Sequence, residues 1–271
     1  MADTPPPATR PLSEIAQGEP IISFRNVHKS FGDKHILRGI TLDIPRGQTT
    51  VIIGPSGTGK SVCMKLIVGL LNPEEGDVWV AGVNVPEASD RELMNVRRSI
   101  GMMFQDGALF DSMTVGDNIA FPLRRHTKLS EQEVQKAVNQ ALDQVGLPGI
   151  ADRMPSALSG GMRKRVSLAR AIITRPEIVM FDEPNSGLDP LTSDEIDNLI
   201  SRMKDELGIT FIVISHDIVG TFAVADRIAM LYNGDLVASG TPEQILHTDQ
   251  LILRQFLARN MELPPLPGAT R

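Results

Sequence analysis

Three short runs are apolar at every position: residues 51–53, 178–181 and 211–214. They are rich in β-branched residues and end at turn-forming or polar ones, the pattern of strands buried on both faces. Elsewhere apolar positions recur at helical spacing. The clearest case opens with Ser130-Glu131-Gln132-Glu133, the form of a capping box. After it Val134, Val138, Ala141, Leu142 and Val145 share one helical face, and Gly146 ends the helix. The same reasoning predicts helices over 60–70, 194–206 and 218–225, and a mostly helical stretch over 106–170. Strands are predicted over 21–26, 42–44, 49–53, 77–81, 84–85, 178–181, 210–215 and 227–231.

Strands alternating with helices predict an α/β fold, a mostly parallel sheet with helices on its faces. The strands before residue 54 are joined by turns, and the middle of the chain interrupts the alternation as a helical insertion. No internal repeat is present. Residues 1–19 are rich in proline and predict a disordered tail, and residues 261–271 an extended one.

Hydrophobic residues make up 41% of the chain and charged residues 22%, enough apolar material for a folded core. Net charge is −6, which argues against nucleic acid as a partner, although Arg163-Lys164-Arg165 forms a local basic run. One cysteine, Cys63, excludes an internal disulfide and a cysteine-based zinc cluster. No segment approaches the roughly 18 consecutive apolar residues of a spanning helix. The first residues lack the basic-then-apolar pattern of a signal peptide, so the expected compartment is the cytosol.

The candidate chemistry begins where the strand at 49–53 meets Gly54-Pro55-Ser56-Gly57-Thr58-Gly59-Lys60-Ser61, a match to GxxxxGK[ST]. Glycines let the backbone curl its N–H groups toward phosphate oxygens, and the following helix adds its dipole. Lys60 is suited to reach the β- and γ-phosphates and Ser61 to hold Mg²⁺. A tight turn before a helix is the plainer alternative, but strand and helix flank the loop as phosphate binding requires.

Two further segments carry charge or bare N–H groups. Leu158-Ser159-Gly160-Gly161-Met162 opens a helix. It reads either as a flexible turn capped by Ser159 or as an anion site at a positive helix end. The strand at 178–181 ends in Asp182-Glu183, where adjacent acids are costly unless a cation meets them. Mg²⁺ suits Asp182, and Glu183 is placed to take a proton from an attacking water.

Taken together, from about residue 21 to 250, these motifs resemble the ATPases of ABC transporters. Phe104-Gln105 is similar to that family's glutamine loop, Ser159 to Gly161 to its signature, and Ser186-Gly187-Leu188-Asp189 to the loop after the second acidic motif. His216, in Ser215-His216-Asp217, is similar to its switch histidine. Phe31 falls where the family has an aromatic that stacks on adenine, with a core role as its alternative. Met162 stands where the signature commonly has Gln, and Asn185 where Thr is usual.

The resemblance implies a P-loop NTPase (RecA-like) core with an antiparallel β subdomain and a helical insertion. The ATPase domain would cover 20–250, with the insertion at about 106–170 and a C-terminal extension at 251–271. It implies ATP and Mg²⁺ as cofactors. Residues 54–61, Ser159, Gly160, Gly161 and Phe31 would bind nucleotide, and Ser61, Gln105 and Asp182 would serve the metal. Lys60, Gln105, Glu183 and His216 would serve catalysis, with Glu183 as the base. The signature of one copy would complete the site of a second.

Phe104 to Arg124, "FQDGALF" followed by "NIAFPLR", is similar to the ATPases of MCE-type lipid transporters, the MlaF group. That group commonly carries methionine after the two signature glycines. It implies phospholipid cargo and a peripheral place on the cytoplasmic side of the inner membrane. Implied partners are an MlaE-like permease, a periplasmic MCE-domain (MlaD-like) protein and a STAS-domain (MlaB-like) protein. An ABC ATPase serving another solute is the alternative.

Overall fold

The computed structural model describes residues 14–259 together with Met261 and Leu263. Two compact units emerge: one joins the chain up to Arg97 with the chain from Thr210 onward, and the other runs from Arg98 to Ile209.

In the first unit two long strands, β1 (Pro20–Phe31) and β2 (Lys34–Pro45), pair antiparallel around the turn at Gly32. With β4 (Glu75–Val80) and β5 (Val83–Asn84) they form a four-stranded sheet, ordered β2-β1-β4-β5. The strands outrun the segments predicted from apolar runs, because their exposed halves are polar while the ladder continues. Residues 14–19, expected to be disordered, are ordered: Ile15 is buried, and Arg46 donates to its carbonyl at 2.6 Å. The rest of the predicted N-terminal tail and nearly all of the C-terminal one lie outside the described residues.

The second sheet of this unit holds β3 (Thr49–Ile53) between β8 (Thr210–Ile214) and β9 (Arg227–Tyr232), all parallel. β10 (Asp235–Gly240) closes the edge antiparallel to β9. Every residue of β3 and β8 is buried, as expected of strands covered on both faces. Helix α1 (Lys60–Ile67) follows β3, ending short of the predicted limit as the chain turns at Gly69. Helix α2 (Asp90–Arg98) buries only Val96.

The second unit opens with β6 (Ile100–Met103), parallel to β7 (Ile178–Asp182). Between them lie α3 (Val115–His126), α4 (Glu131–Gln144) and α5 (Gly160–Ile172), and α3 and α4 pack on each other and on α5. α4 carries the predicted capping box and buries Val134, Val138, Ala141 and Leu142. α6 (Pro190–Leu207) starts earlier than predicted, because Asp189 caps it and Pro190 takes its first turn. The first unit ends with α7 (Ile218–Val224), α8 (Pro242–Leu246) and α9 (Leu251–Leu257). No helix among the described residues is long and apolar enough to cross a membrane.

Candidate functional site

In the first unit the parallel register places Ile52 beside Ile214, so β3 and β8 end side by side. The loop at 54–61 leaves one strand end and His216 follows the other, the edge where open parallel sheets take their ligands. Gly54 has φ +143, and a Cβ there would sit 2.1 Å from the Leu231 carbonyl oxygen. Gly57 has φ +78 with nothing within 4 Å of its missing Cβ, which leaves its backbone open to a ligand. Lys60 is only 7% exposed, and its Nζ donates to the carbonyls of Gly54 at 2.7 Å and Pro55 at 2.9 Å. Thr58 Oγ1 donates to the same Pro55 carbonyl at 2.9 Å. The ammonium is thus held at the centre of the curl. Ser61 is exposed on the first turn of α1.

His216 is exposed, and its neighbours are fixed. The Asp217 N–H donates to Ser215 Oγ at 3.0 Å, while Asp217 Oδ1 accepts from the Gly220 N–H at 3.1 Å to cap α7. Phe31 is 50% exposed at the end of β1, so it is not a core residue, and Lys29 Nζ sits 5.5 Å from its ring centre. A cleft of about 770 Å³ runs along the phosphate loop. Ser56, Gly57, Lys34, His35, Phe256 and Arg259 are among the residues that line it, and Phe31 is not.

The second unit repeats the strand-end device. Met103 pairs with Phe181, so Asp182 closes β7 while Gln105 and Glu183 follow adjacent parallel strands. Gln105 Nε2 donates to Ser186 Oγ at 3.1 Å. Glu183 has φ +53, a strained conformation of about 1–3 kcal/mol for a residue other than glycine. Asn185 Nδ2 donates to Asp197 Oδ1 at 2.9 Å, which ties the loop after the acids to α6. Asp189 caps α6, and hydrogen bonds from Thr192 hold its carboxyl below the usual carboxylate range.

Ser159 caps α5, its Oγ accepting from the Met162 N–H at 3.3 Å. That bond uses only the backbone of Met162, so methionine at this position leaves the cap intact. Gly161 packs close: a Cβ there would lie 2.5 Å from Thr192 Cγ2. Ser159 and Gly160 face solvent.

The run Arg163-Lys164-Arg165 is not a basic patch, since successive helical residues diverge by about 100°. Arg163 donates to the Pro155 carbonyl at 3.1 Å, and Arg165 pairs with Glu195. Lys164 turns inward, only 5% exposed, and donates to the carbonyls of Gln105 and of Glu183, the latter at 3.3 Å. Burial pulls its pKa below the ordinary lysine value, against the pull of Asp106 and Glu183.

Lys164 was missed in the sequence because a lysine between two arginines reads as surface. Asn118 was missed as well. It is fully buried in α3; its Oδ1 accepts from the Phe110 N–H at 2.7 Å, and its Nδ2 donates to the carbonyls of Phe110 at 3.0 Å, Met113 at 3.2 Å and Thr114 at 3.0 Å. No periodicity announces such a residue.

The sequence profile of the family described as "ABC transporter" matches residues 37–186. The chain belongs to the ABC transporter family. ATP binding and hydrolysis follow from that membership. The intermembrane phospholipid transport system ATP-binding protein MlaF of Haemophilus influenzae is 42% identical over 90% of this chain and 92% of its own length. MlaF of Escherichia coli K12 is 41% identical over 88% of each chain. The probable ribonucleotide transport ATP-binding protein mkl of Mycobacterium leprae is 44% identical, but the match spans only 68% of that protein. Among solved structures, a dimeric ATP-binding cassette in a post-hydrolysis state, bound to ADP and Pi, has a TM-score of 0.74 at 32% identity. It covers 81% of this chain and 98% of its own. CbiO1 from Clostridium perfringens, part of an ABC transporter complex, has a TM-score of 0.77 at 32% identity, covering 89% of this chain and 96% of its own. These cassettes carry the α/β fold expected from the motifs.

Proposed function

We propose that this chain powers phospholipid movement between the inner and outer membranes, as one of two copies held by a permease on the cytoplasmic side of the inner membrane. One observation carries the cargo reading: similarity to the two MlaF proteins runs through 88–92% of their length, where the mycobacterial relative is matched over 68%. The matched stretch, 88–90% of this chain, spans the segment from Phe104 to Arg124, as does the 87% matched by the mycobacterial relative. There Phe104, Phe110 and Phe121 stand exposed, with the rings of Phe110 and Phe121 5.1 Å apart. This aromatic face suits a permease. MlaD-like and MlaB-like proteins complete the proposed assembly.

Each residue's proposed role follows from its chemistry. Backbone N–H groups of residues 56–60 and the Lys60 ammonium hold the β- and γ-phosphates, and the Phe31 ring offers its face to adenine once Lys29 swings aside. Among the described residues no group of three or more His, Cys, Asp or Glu could hold a metal unaided. Ser61, Asp182 and Gln105 would each offer magnesium an oxygen donor, alongside phosphate oxygens. Magnesium so held would neutralise charge on the phosphate oxygens. Glu183 takes the proton of the attacking water, Gln105 orients that water, and His216 contacts the γ-phosphate. Solvent-facing Ser159 and Gly160, with Gly161 behind them, serve the ATP of the second copy.

The test is to purify the chain with its native partners and identify the subunits and any bound lipid. Permease, MCE-domain protein and phospholipid are expected, with ATP turnover that needs Mg²⁺. A complex that carries ribonucleotide or another solute and no lipid would overturn the cargo and leave the ATPase standing.

A further inference from the structure

The glutamine loop is held by one face of α5. Lys164, Ser167 and Arg170 stand three residues apart along that helix, and each donates to main-chain carbonyls of the loop. Lys164 reaches Gln105; Ser167 Oγ reaches Gly107 at 2.8 Å; Arg170 reaches Gly107 and Ala108, both at 2.8 Å. The loop backbone is unusual here, with φ +75 at Gly107 and +44 at Ala108. Lys164 goes further than the other two, because its second bond is to the carbonyl of Glu183, a residue that is itself strained. One buried ammonium thus joins the segments carrying Gln105 and Glu183, five residues along α5 from the cap Ser159.

We infer that Lys164 is a positioning residue for hydrolysis, fixing the backbones of Gln105 and Glu183 relative to each other and to the start of α5. It touches no reacting atom. Strain at Glu183 persists only where surrounding bonds hold it, and Lys164 supplies such a bond. Displacement of α5 therefore shifts both residues together. The inference rests on the proposed role of Glu183 as base.

Lys164→Met keeps length and removes the donors, while Lys164→Gln keeps an N–H₂ donor. In the full chain with its partners, Lys164→Met is expected to lower kcat about a hundredfold, the scale of a small misplacement of catalytic groups. The ATP KM should stay within about threefold, and Lys164→Gln should recover about a tenth or more of wild-type turnover. A cycle with Glu183→Gln separates positioning from general stability: on that background Lys164→Met should add almost no further loss, whereas independent effects would multiply. Wild-type turnover in Lys164→Met, or full multiplication in the double variant, overturns the inference. If Lys164→Met does not fold, the same cycle is run with Lys164→Gln, whose smaller loss must also vanish on the Glu183→Gln background. Retained turnover in Glu183→Gln alone would instead defeat the base reading.

Discussion

In the first unit the hydrogen bonds of Lys60 and Thr58 to Gly54 and Pro55 stay within the loop at 54–61. Lys60 and Thr58 donate to carbonyls at most six residues away, and glycines provide the curl. In the second unit the loops after β6 and β7 are held by side chains of α5, 59 residues from Gln105 and 19 from Glu183. The first arrangement is a grip for an anion built from short-range bonds. The second is an adjustable one, whose geometry depends on where a helix stands. Damage to the first should therefore weaken nucleotide binding, and damage to the second should spare binding while removing turnover.

The sharpest test of that contrast is Lys60→Ala, which should cut phosphate release by about a thousandfold and weaken ATP binding as well. Unchanged turnover would end the phosphate-loop assignment. Glu183→Gln should lower kcat by about a hundredfold to ten-thousandfold while nucleotide still binds, and should accumulate a closed pair of copies. A monomeric Glu183→Gln sample at saturating Mg-ATP, where the wild type pairs, would break the contrast.

Stability should respond in the second unit where a single buried side chain holds a loop. Asn118→Leu removes the acceptor of the Phe110 N–H and the side-chain donor shared by the carbonyls at 110–114, and should cost about 2–4 kcal/mol in denaturant unfolding, with ATP affinity unchanged. The smallest effect belongs to Arg124, which bridges Asp117 and Glu131 in solvent. Arg124→Ala should cost less than about 1 kcal/mol. Hydrogen bonds from Arg124 and Thr114 hold the Asp117 carboxyl below its usual pKa. That contribution is present in full above the unfolded value of about 4 and is lost as pH falls through the lower folded value. A stability profile flat across that acid range would remove the network from the account.

Legibility in the sequence follows the same division. β3, β7 and β8 were readable because continuous burial writes a continuous apolar run, and α4 because its cap and stripe are local. The phosphate loop was readable for that reason too. α2 was not, since it buries one residue, and β10 was not, since its face is half-exposed. Asn185 carried no message until its bond to Asp197 was visible. Lys164 and Asn118 act on distant carbonyls, and such bonds leave no spacing to read.

The α5 ladder grips only carbonyl oxygens, and every amino acid has one. Exposed side chains of the glutamine loop, Phe104 and Phe110 among them, can therefore be exchanged to suit a different partner without loosening the hold. A motor built this way can change its docking partner over evolutionary time while its timing mechanism stays the same.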